Sequence, residues 1–581
     1  MVFVMKVNNL QELLASKKID GFIFSTADEY LNEYVPEYNN RIKYISNFTG
    51  SFGVLVVLQN SVCLFTDSRY TLAAGKQVYP NIEVNLFSIA NISAWLKPKL
   101  NSNANIALNA KTTSIGGYKM YEDLLHNLNM QATLINSHLV DEIWENRPSK
   151  PSTQVYLHDT KYGSLNYQTK IKTIAAQLKE NNLDAFLITA LDSIAWLLNI
   201  RGNDIPCNPL SLSKLIIMKN GEISWFIDKE KIADIKKFFP LVNFYAEEYL
   251  EDYLSNLSNV KTFGLSNNSP IYYRNILQNN FQVVFTEDFC VNEKAIKTPA
   301  EINSIKQAHT RDGIYLVKFY YELYQNPTAF NEISIDARLN QIKQQDKLYV
   351  GASFPSIVGI DSNGAIVHYR ATEQTSKNLT ENSYLLIDCG SQYLDGTTDI
   401  TRTFSFNKIS DNFKKHYTLV LKGHISLASA VFKKGSRGSN IDILTRAPLW
   451  EHGLDYGHGT GHGVGFFLCV HEGPQSISFA NSAELLPGMV VSIEPGYYLE
   501  NQYGIRLENL YAIKQSNFDG FLCFEPLTLA PYDVKNIDFS LLSQEEINWL
   551  NNYHQEVYRT LSPHLSEEEK IWLKNFISSK N

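Results

Sequence analysis

The feature that most restricts the fold of this chain is a pattern that occurs twice in its first half. Each copy begins with a helical stretch, continues into a short apolar segment (IDGF, then LDAF) and ends in a predicted β-hairpin, FGVLVVLQNSVCLFTD and SKLIIMKNGEISWFID. Apolar runs of strand length joined by polar turns are typical of hairpins. Asp67 follows Asp20 by 47 positions, and Asp228 follows Asp184 by 44. We interpret the pattern as an internal duplication of an α/β unit; two unrelated α/β units are the alternative.

The chain has 581 residues, which is too long for one hydrophobic core, so several domains are expected. A polar stretch around Pro148 and Pro151 predicts a linker between the two copies. A third region opens with VNEKAIKTPAEI, in which Thr298, Pro299 and Glu301 have the pattern of a capped helix start. The predicted fold class is α/β (α+β), with domains at residues 1–145, 146–292 and 293–581.

The third region mixes helical and strand patterns. We expect a second helix near Ser334–Gln344, strands in SIVGIDSNGAIVHYR and YLLIDCGSQYLDGTTDITRTFSF, and a long helix from Asp411 to about Phe432. The C-terminal segment predicts two amphipathic helices separated at Pro563. Neither N-terminal copy holds a cluster of metal-ligating or nucleophilic residues, so we expect the chemistry in the third region.

Composition restricts the classes of protein that fit. The formal net charge of −8 and the absence of a basic run argue against a nucleic-acid partner. Apolar runs stay well below the roughly 18 residues that span a bilayer, and the N-terminal segment has no apolar core of signal-peptide length, so no membrane association is expected. The six cysteines form no CxxC pair, which is typical of free thiols in a reducing compartment. A cytoplasmic protein is expected.

Five potential metal ligands lie between residues 384 and 508, each beside glycines or at the end of an apolar run: Asp388, Asp399, His462, Glu494 and Glu508. The spacings of 11 between the aspartates and 14 between the glutamates predict neighbouring antiparallel strands whose ends meet. Four carboxylates with one imidazole suit hard divalent ions, and two such ions cancel the repulsion among the acids. A two-metal site holds a hydroxide at neutral pH and polarises a substrate carbonyl.

Each of these residues also has an ordinary structural interpretation. Asp388 is a good turn-capping acid at a strand end, Asp399 fits an Asx turn, and HGTGHGVG fits a loop whose histidines only pack. The two glutamates are uninformative when taken alone. The metal-site prediction rests on the conjunction of all five residues in glycine-flanked settings.

The motifs LLIDCGSQYLDGTTDITRT, HGTGHGVGFFLCVHEGP, SIEPGYY and GIRLENL resemble those of the pita-bread metallopeptidases, and most of all the three-domain, cytosolic-type Xaa-Pro aminopeptidases (aminopeptidase P). RIKYISNFTGS and FTDSRYTLAA resemble the first N-terminal domain of that family, and VNEKAIKTPAEI resembles the entry to its catalytic domain. The resemblance implies two creatinase-like α/β domains followed by a pita-bread catalytic domain with a helical tail.

The resemblance also implies roles for single residues. Asp399 and Glu508 would bridge two divalent ions, most often Mn²⁺, with Zn²⁺, Co²⁺ or Fe²⁺ as alternatives; Asp388 would bind one ion, and His462 with Glu494 the other. Glu494 would also accept a proton from the bridging water and deliver it to the departing proline nitrogen. The residues implied in substrate contact or oxyanion stabilisation are His368, His458, His471 and Arg506.

The expected substrates are therefore peptides that begin with Xaa-Pro, and the family resemblance further implies a homodimer. Prolidase, which cleaves Xaa-Pro dipeptides, is the alternative within the fold, although prolidases usually have one N-terminal domain. Methionine aminopeptidase lacks such domains, and creatine amidinohydrolase does not keep the five ligands. A non-catalytic binding protein on the same fold is the alternative from another class, and the complete ligand set argues against it.

Overall fold

The computed structural model describes residues 2–407 and 409–578, and the chain divides into two compact units. The first unit comprises residues 1–158 and 165–291, and the second comprises residues 159–164 and 292–581. None of the described helices is long and apolar enough to cross a membrane.

The first unit contains two six-stranded sheets and a two-stranded ribbon. Its strands are β1 (Gly21–Ser25), β2 (Val54–Leu58), β3 (Val62–Thr66), β4 (Glu83–Leu86), β5 (Asn105–Asn109), β6 (Gln131–Ile135), β7 (Tyr156–Leu157), β8 (Ala185–Ile188), β9 (Ile200–Arg201), β10 (Lys214–Met218), β11 (Ile223–Phe226), β12 (Val242–Tyr245), β13 (Thr262–Leu265) and β14 (Gln282–Phe285). Its helices are α1 (Val2–Ser16), α2 (Arg41–Ser46), α3 (Thr71–Gln77), α4 (Ile89–Leu96), α5 (Ile115–Asn127), α6 (Leu139–Ile143), α7 (Tyr167–Glu180), α8 (Leu191–Leu198), α9 (Leu250–Asn256) and α10 (Ile271–Leu277).

The two large sheets have the same strand order and the same pairing directions. The first runs β4-β3-β2-β1-β5-β6 and the second β12-β11-β10-β8-β13-β14, with β7 and β9 forming the separate ribbon. In each sheet the hairpin is antiparallel and the outer strands are parallel to their neighbours. In the first sheet the hairpin strands β2 and β3 are buried along their whole length, as expected for strands covered on both faces. Both predicted hairpins are confirmed, and the shared topology supports the duplication, which stays a prediction.

The second unit combines a four-stranded sheet, a six-stranded sheet and a two-stranded ribbon with long helices. Its strands are β15 (Tyr349–Ala352), β16 (Ile357–Ile360), β17 (Tyr384–Tyr393), β18 (Gly396–Ser405), β19 (Val431–Lys433), β20 (Gly461–Gly463), β21 (Glu472–Ile477), β22 (Val490–Ile493), β23 (Gly496–Leu499), β24 (Tyr503–Arg506), β25 (Asn509–Gln515) and β26 (Phe521–Pro526). After α11 (Phe289–Ala295), which spans the sequence boundary of the units, its helices are α12 (Pro299–Gln325), α13 (Glu332–Lys343), α14 (Asp411–Ala428), α15 (Gly438–Ile441), α16 (Ile443–Trp450), α17 (Gln544–Leu561) and α18 (Glu567–Phe576).

The sheets of the second unit bring distant sequence segments together. Strand β17 pairs with β15 and β16 and also with β18, whereas the larger sheet has the order β19-β26-β25-β22-β20-β21 and β23 pairs with β24. Helix α12 packs on the hairpin β17–β18 around Leu316, Tyr320 and Ile400. Its predicted start is confirmed. The Thr298 hydroxyl accepts a hydrogen bond from the Glu301 backbone N–H, and the Glu301 carboxylate accepts one from the Thr298 backbone N–H. The two C-terminal helices are also confirmed.

Two expectations about this region are wrong. The helix expected to reach Phe432 ends at Ala428, because Phe432 pairs with Leu522 in the larger sheet as part of β19. In SIVGIDSNGAIVHYR, only Ile357–Ile360 is a strand. The backbone of Asp361 then adopts a left-handed conformation with a φ of 51°, and the chain folds into turns that carry IVHYR. Tertiary contacts of these turns, described below, outweigh the strand pattern of the sequence.

Candidate active site

The two aspartates of the predicted metal site lie on one face of the hairpin β17–β18. Asp388 is paired with Thr401, and Asp399 is paired with Gly390. Residues that pair directly, and residues two apart on one strand, point to the same side of a sheet, so both carboxylates face the same way. The expected antiparallel neighbours are confirmed, but both residues lie inside long strands and not at strand ends. A ten-residue paired strand gives each aspartate a rigid backbone.

The two glutamates come from the neighbouring strands β22 and β25. Ile493 at the end of β22 pairs with Asn509 at the start of β25. Glu494 directly follows Ile493, and Glu508 directly precedes Asn509. The residues between the two glutamates form the ribbon β23–β24. The Glu508 backbone N–H donates to the carbonyl oxygen of Thr401 at 3.1 Å, and the Thr401 hydroxyl donates to the Glu508 carboxylate at 2.8 Å. These bonds join the glutamate to the hairpin that carries the aspartates.

His462 lies between two glycines on β20 and reaches both groups of acids. Its Nε2 is 3.4 Å from Asp399 Oδ2 and 3.4 Å from Glu494 Oε1. Its Nδ1 lies 2.9 Å from the carbonyl oxygen of Gly463. Because a carbonyl oxygen only accepts, Nδ1 carries a hydrogen and Nε2 is the atom available to a metal ion. A Cβ at Gly461 would lie 1.8 Å from the Ser492 carbonyl oxygen, which requires glycine there.

The acids of this cluster repel one another in the metal-free protein. Burial, reinforced by the charges of Asp399 and Asp388, raises the pKa of Glu494 to about 7, against the opposing effect of His462. Burial and the neighbouring carboxylates raise the pKa of Glu508 well above its usual range. Burial lowers the pKa of His462, but its hydrogen bond to Asp399 and the charge of Glu494 outweigh this effect and bring that pKa to about 9. In the metal-free protein, protons on these groups offset the negative charge that divalent cations would otherwise balance.

The donor set fits such cations. Ligand atoms of Asp399, His462 and Glu508 all lie within 4.8 Å of one another. Glu494 joins this group through its contact with His462, and Asp388 lies diagonally across the hairpin from Asp399. Asp388 Oδ1 is buried and has no hydrogen-bond partner in the described part of the chain. An orphaned carboxylate oxygen beside other acids is the position in which a divalent ion removes the cost of burial.

A buried arginine connects the metal-site acids to a histidine implied in substrate contact. Arg506 is 1% exposed, and its Nη2 donates to Asp388 Oδ2 at 2.6 Å. Its Nη1 donates to the Tyr498 hydroxyl at 2.7 Å, and this hydroxyl lies 2.8 Å from His458 Nε2. His458 Nδ1 faces the Gly459 carbonyl oxygen, so Nε2 accepts from Tyr498. Tyr498 was not among the residues expected from the sequence, although it lies within the SIEPGYY motif.

The two other histidines implied in substrate contact, His471 and His368, lie beside different buried residues. The ring of His471 lies 4.4 Å from that of His462, centre to centre. The next residue, Glu472, is fully buried and forms ion pairs with Lys297 and, at 3.2 Å, with Lys294. His368 lies in the turns after β16, half-buried, and the carbonyl oxygen of the preceding Val367 accepts from Arg506 Nη2 at 3.4 Å.

Cys389 follows the first predicted ligand but belongs to a different environment. Strand alternation turns its side chain to the opposite face of β17 from Asp388, into the apolar core with Leu316 and Tyr320. Burial raises the pKa of this thiol to about 12, against the opposing charge of Lys343. A buried, protonated thiol packs as a small apolar side chain.

Comparison with known protein families covers most of the chain. Residues 303–515 match the model of metallopeptidase family M24, and residues 520–578 match the C-terminal region of peptidase M24. Residues 6–142 and 146–301 each match a model of the creatinase/prolidase N-terminal domain.

Similar proteins extend over the full length. The chain is 32% identical to aminopeptidase P1 of Arabidopsis thaliana, over 98% of each protein. It is 33% identical to Xaa-Pro aminopeptidase 1 of Dictyostelium discoideum, over 98% of this chain and 96% of that protein.

Solved structures agree with this assignment. The X-prolyl aminopeptidase of Caenorhabditis elegans, described as a cytosolic enzyme with a di-nuclear active site, superposes with a TM-score of 0.95 at 32% identity and covers all of both chains. The prolidase of Pyrococcus horikoshii covers only 63% of this chain, with a TM-score of 0.51 at 21% identity, and shares the fold alone. The chain belongs to the aminopeptidase P group of metallopeptidase family M24, with two creatinase-like α/β domains before a pita-bread catalytic domain.

Proposed function

We propose that this protein is a metal-dependent aminopeptidase that releases the first residue from peptides with proline in second position. The observation that carries the proposal is the convergence of three buried carboxylates, the half-buried Glu494 and His462 from separate strands on one site. The full-length similarity to Xaa-Pro aminopeptidases supports the peptide class.

The metal ligands of the proposal are Asp388, Asp399, His462, Glu494 and Glu508. Two divalent ions held there would act as Lewis acids and supply a nucleophilic hydroxide at neutral pH. The oxygen-rich donor set favours Mn²⁺, with Zn²⁺, Co²⁺ and Fe²⁺ as alternatives that geometry and availability decide. The di-nuclear site described for the Caenorhabditis elegans relative supports the count of two ions.

The residues of the chain would bind the substrate and move its proton. The Glu494 side chain is 19% exposed and that of Asp399 is 5% exposed, so Glu494 is the more open acid and is proposed to carry the proton to the departing proline nitrogen. His471 and His368 are proposed to stabilise the developing oxyanion. His458 and Arg506 are proposed to orient the substrate, supported by the hydrogen bonds through Tyr498.

The decisive experiment is a peptide-length series. Xaa-Pro dipeptides, Xaa-Pro-Xaa tripeptides and longer peptides are incubated with chelated protein, with and without added Mn²⁺, and the released residue is quantified. Metal-dependent cleavage of the tripeptides and longer peptides is expected. Exclusive cleavage of dipeptides would favour prolidase, and a protein that binds no metal and shows no restorable activity would favour a non-catalytic binding protein.

The assembly and location of the protein are also proposals. We propose a homodimer formed through the catalytic region, where Trp450 and Phe479 stack at the surface with 42% and 61% of their areas exposed. Aromatic side chains are enriched at protein association surfaces. Sedimentation of the purified protein tests whether it forms a dimer.

A cytoplasmic location is supported by the relative described as cytosolic and by the six free cysteines.

The domain boundaries at 145/146 and 292/293 are a further proposal. The family matches that end at residue 142 and begin at residue 146 support the first boundary. The compact unit that ends at Val291 supports the second. Limited proteolysis followed by mass spectrometry would locate the accessible linkers.

A further inference from the structure

The segment from residue 361 to residue 383 carries His368 but has little regular structure of its own. It connects β16 to β17 and contains one short 3-10 turn, Asp361–Asn363, and no α-helix or strand. Backbone hydrogen bonds tie its end to the start of α13 through one isolated bridge, Asn331 with Asn378. The part that carries His368 has no such pairing and depends on side-chain contacts for a defined position. The position of His368 therefore depends on whatever fixes this segment.

One buried carboxylate contacts the segment and its entry. Glu332, the first residue of α13 after its cap Asn331, is 0% exposed. It accepts four hydrogen bonds, from the backbone N–H of Ile360 at 2.7 Å, Asn363 Nδ2 at 3.0 Å, the Tyr369 hydroxyl at 2.9 Å and the backbone N–H of Lys377 at 3.0 Å. These donors lie before, within and after the turn that carries His368.

The chemistry of the contacts requires a carboxylate. All four groups donate, and only an ionised acid offers two oxygens that accept without donating. The four donors are neutral, and burial raises the pKa of Glu332 in spite of their hydrogen bonds. Its position in the first turn of α13 gives further stabilisation to the negative charge. Within the described residues Glu332 has no ion-pair partner, and a buried acid in that state is unfavourable for stability, which favours a positional role.

The residues on either side of His368 are held from two directions. Tyr369, directly after it, is 5% exposed and bonded to Glu332, whereas Val367, directly before it, faces Arg506 through its carbonyl oxygen. The backbone of the segment also packs closely on β24, since a Cβ at Gly504 would lie 1.8 Å from the Gly364 carbonyl oxygen. Arg506 itself binds Asp388. The turn is thus fixed relative to the metal-site acids.

We propose that Glu332 is a positioning residue that holds the His368 turn against Arg506 and so sets where His368 meets the substrate. This inference rests on the proposed substrate role of His368. Glu332 acts through the hydrogen bonds of the turn and does not itself contact the substrate.

The test is a double-mutant cycle on the metal-loaded, full-length protein, with an Xaa-Pro-Xaa tripeptide as substrate. The variants are Glu332→Gln, His368→Ala and the combination of both. Gln keeps the size of the side chain but replaces one accepting oxygen by an NH2 donor. This donor would face the Lys377 backbone N–H in the place of Oε2, or that of Ile360 in the place of Oε1, so one of these two hydrogen bonds is lost in either orientation. A misplacement of about 1 Å costs up to about 100-fold in rate, and we expect Glu332→Gln to lower kcat by about 10- to 100-fold with unchanged metal content.

In the His368→Ala background, the same Glu332→Gln change is expected to lower kcat less than about twofold, because the group that it positions is absent. The matched control is Glu322→Gln, which removes a half-exposed partner of Arg338 in the same unit and should leave kcat unchanged. If Glu332→Gln does not fold, Tyr369→Phe removes one of the four hydrogen bonds and enters the same cycle.

Two outcomes overturn the inference and are distinguishable. Full independence of the two substitutions, with the effect of Glu332→Gln undiminished in the His368→Ala background, would show that Glu332 acts elsewhere while the role of His368 stands. Unchanged kcat/KM in His368→Ala alone would remove the proposed role of His368, and the inference with it.

Discussion

The metal-ligand region and the substrate-histidine region of the second unit are built in different ways. The five predicted ligands lie on or next to paired strands, where backbone hydrogen bonds determine the direction of each side chain. The histidines His368, His458 and His471 lie in turns or next to a strand start, and buried side chains hold their surroundings. The supports are the carboxylates of Glu332 and Glu472 and the hydroxyl of Tyr498.

This difference shows how one site combines ligands at fixed positions with a pocket shaped by loops. Metal ions require ligands at fixed distances, which a sheet provides through its register. A pocket for a variable peptide needs groups outside the sheet, and loops held by a few buried contacts place them there. Substitutions in each region would separate the two kinds of support.

The largest effect is expected for a proposed metal ligand. Asp399→Asn removes a charge from the centre of the cluster, and we expect kcat/KM to fall by about 1,000-fold or more, since metal charge stabilisation contributes several kcal/mol. Metal content measured by mass spectrometry should fall in parallel. Asp411→Asn, at the exposed start of α14, is the control and should leave both quantities unchanged. Full activity of Asp399→Asn would remove this residue from the ligand set.

Breaking the support of His471 should affect stability more than metal binding. Glu472→Gln leaves the buried ammonium groups of Lys294 and Lys297 without their carboxylate. Losing one partner of a buried ion pair costs about 3–5 kcal/mol, so the free energy of unfolding of the second unit should fall by that amount in denaturant titrations. Glu525→Gln, which removes a partly exposed partner of Lys306 and Lys514, should cost less than about 1 kcal/mol. Equal losses in the two variants would contradict this account.

Arg506 contacts both regions, so its replacement should affect both. Lysine cannot reproduce the planar set of donors that binds Asp388 and Tyr498, and we expect Arg506→Lys to weaken metal affinity and kcat/KM by about 10- to 100-fold each. Tyr498→Phe removes the hydroxyl that joins Arg506 to His458 but leaves the contact of Arg506 with Asp388, and it should lower kcat/KM with metal affinity unchanged. Parallel loss of metal in both variants would show that the two regions are not separately supported.

The smallest effect concerns pH and the metal-free protein. The folded pKa of Glu494, about 7, lies above its usual value, so protonation favours the folded state. His462, with a pKa of about 9, acts in the same direction. Buried histidines whose pKa is lowered, such as His424 and His554, oppose this effect below about pH 6.5. The free energy of unfolding of the chelated protein should therefore fall as pH rises from about 7 to about 9. Thermal denaturation measures it, and added Mn²⁺ should abolish the fall. A metal-free protein that gains stability over this range would contradict the assigned shifts.

Much of the architecture could be predicted from the sequence because its signals are local. Apolar runs with polar turns indicated both N-terminal hairpins, and Thr298 with Glu301 indicated the start of α12. The spacing of the acids indicated paired antiparallel strands, and this prediction is confirmed for both pairs. The prediction of a strand at IVHYR was wrong because the conformation of this segment depends on Glu332. The contact of Glu332 with Tyr369 spans 37 residues and leaves no periodic pattern in the sequence.

The sequence by itself determined which residues are available as ligands, since acids and histidines in glycine-flanked motifs are recognisable one by one. Only the tertiary structure decided how they are supported. The contact of Lys297 with Glu472 spans 175 residues, and that of Tyr498 with His458 spans 40. Such pairs follow from the packing of strands and turns in space. The physical reason is that a buried charge or hydroxyl takes the partner that the fold brings within hydrogen-bond distance, wherever that partner lies in the chain.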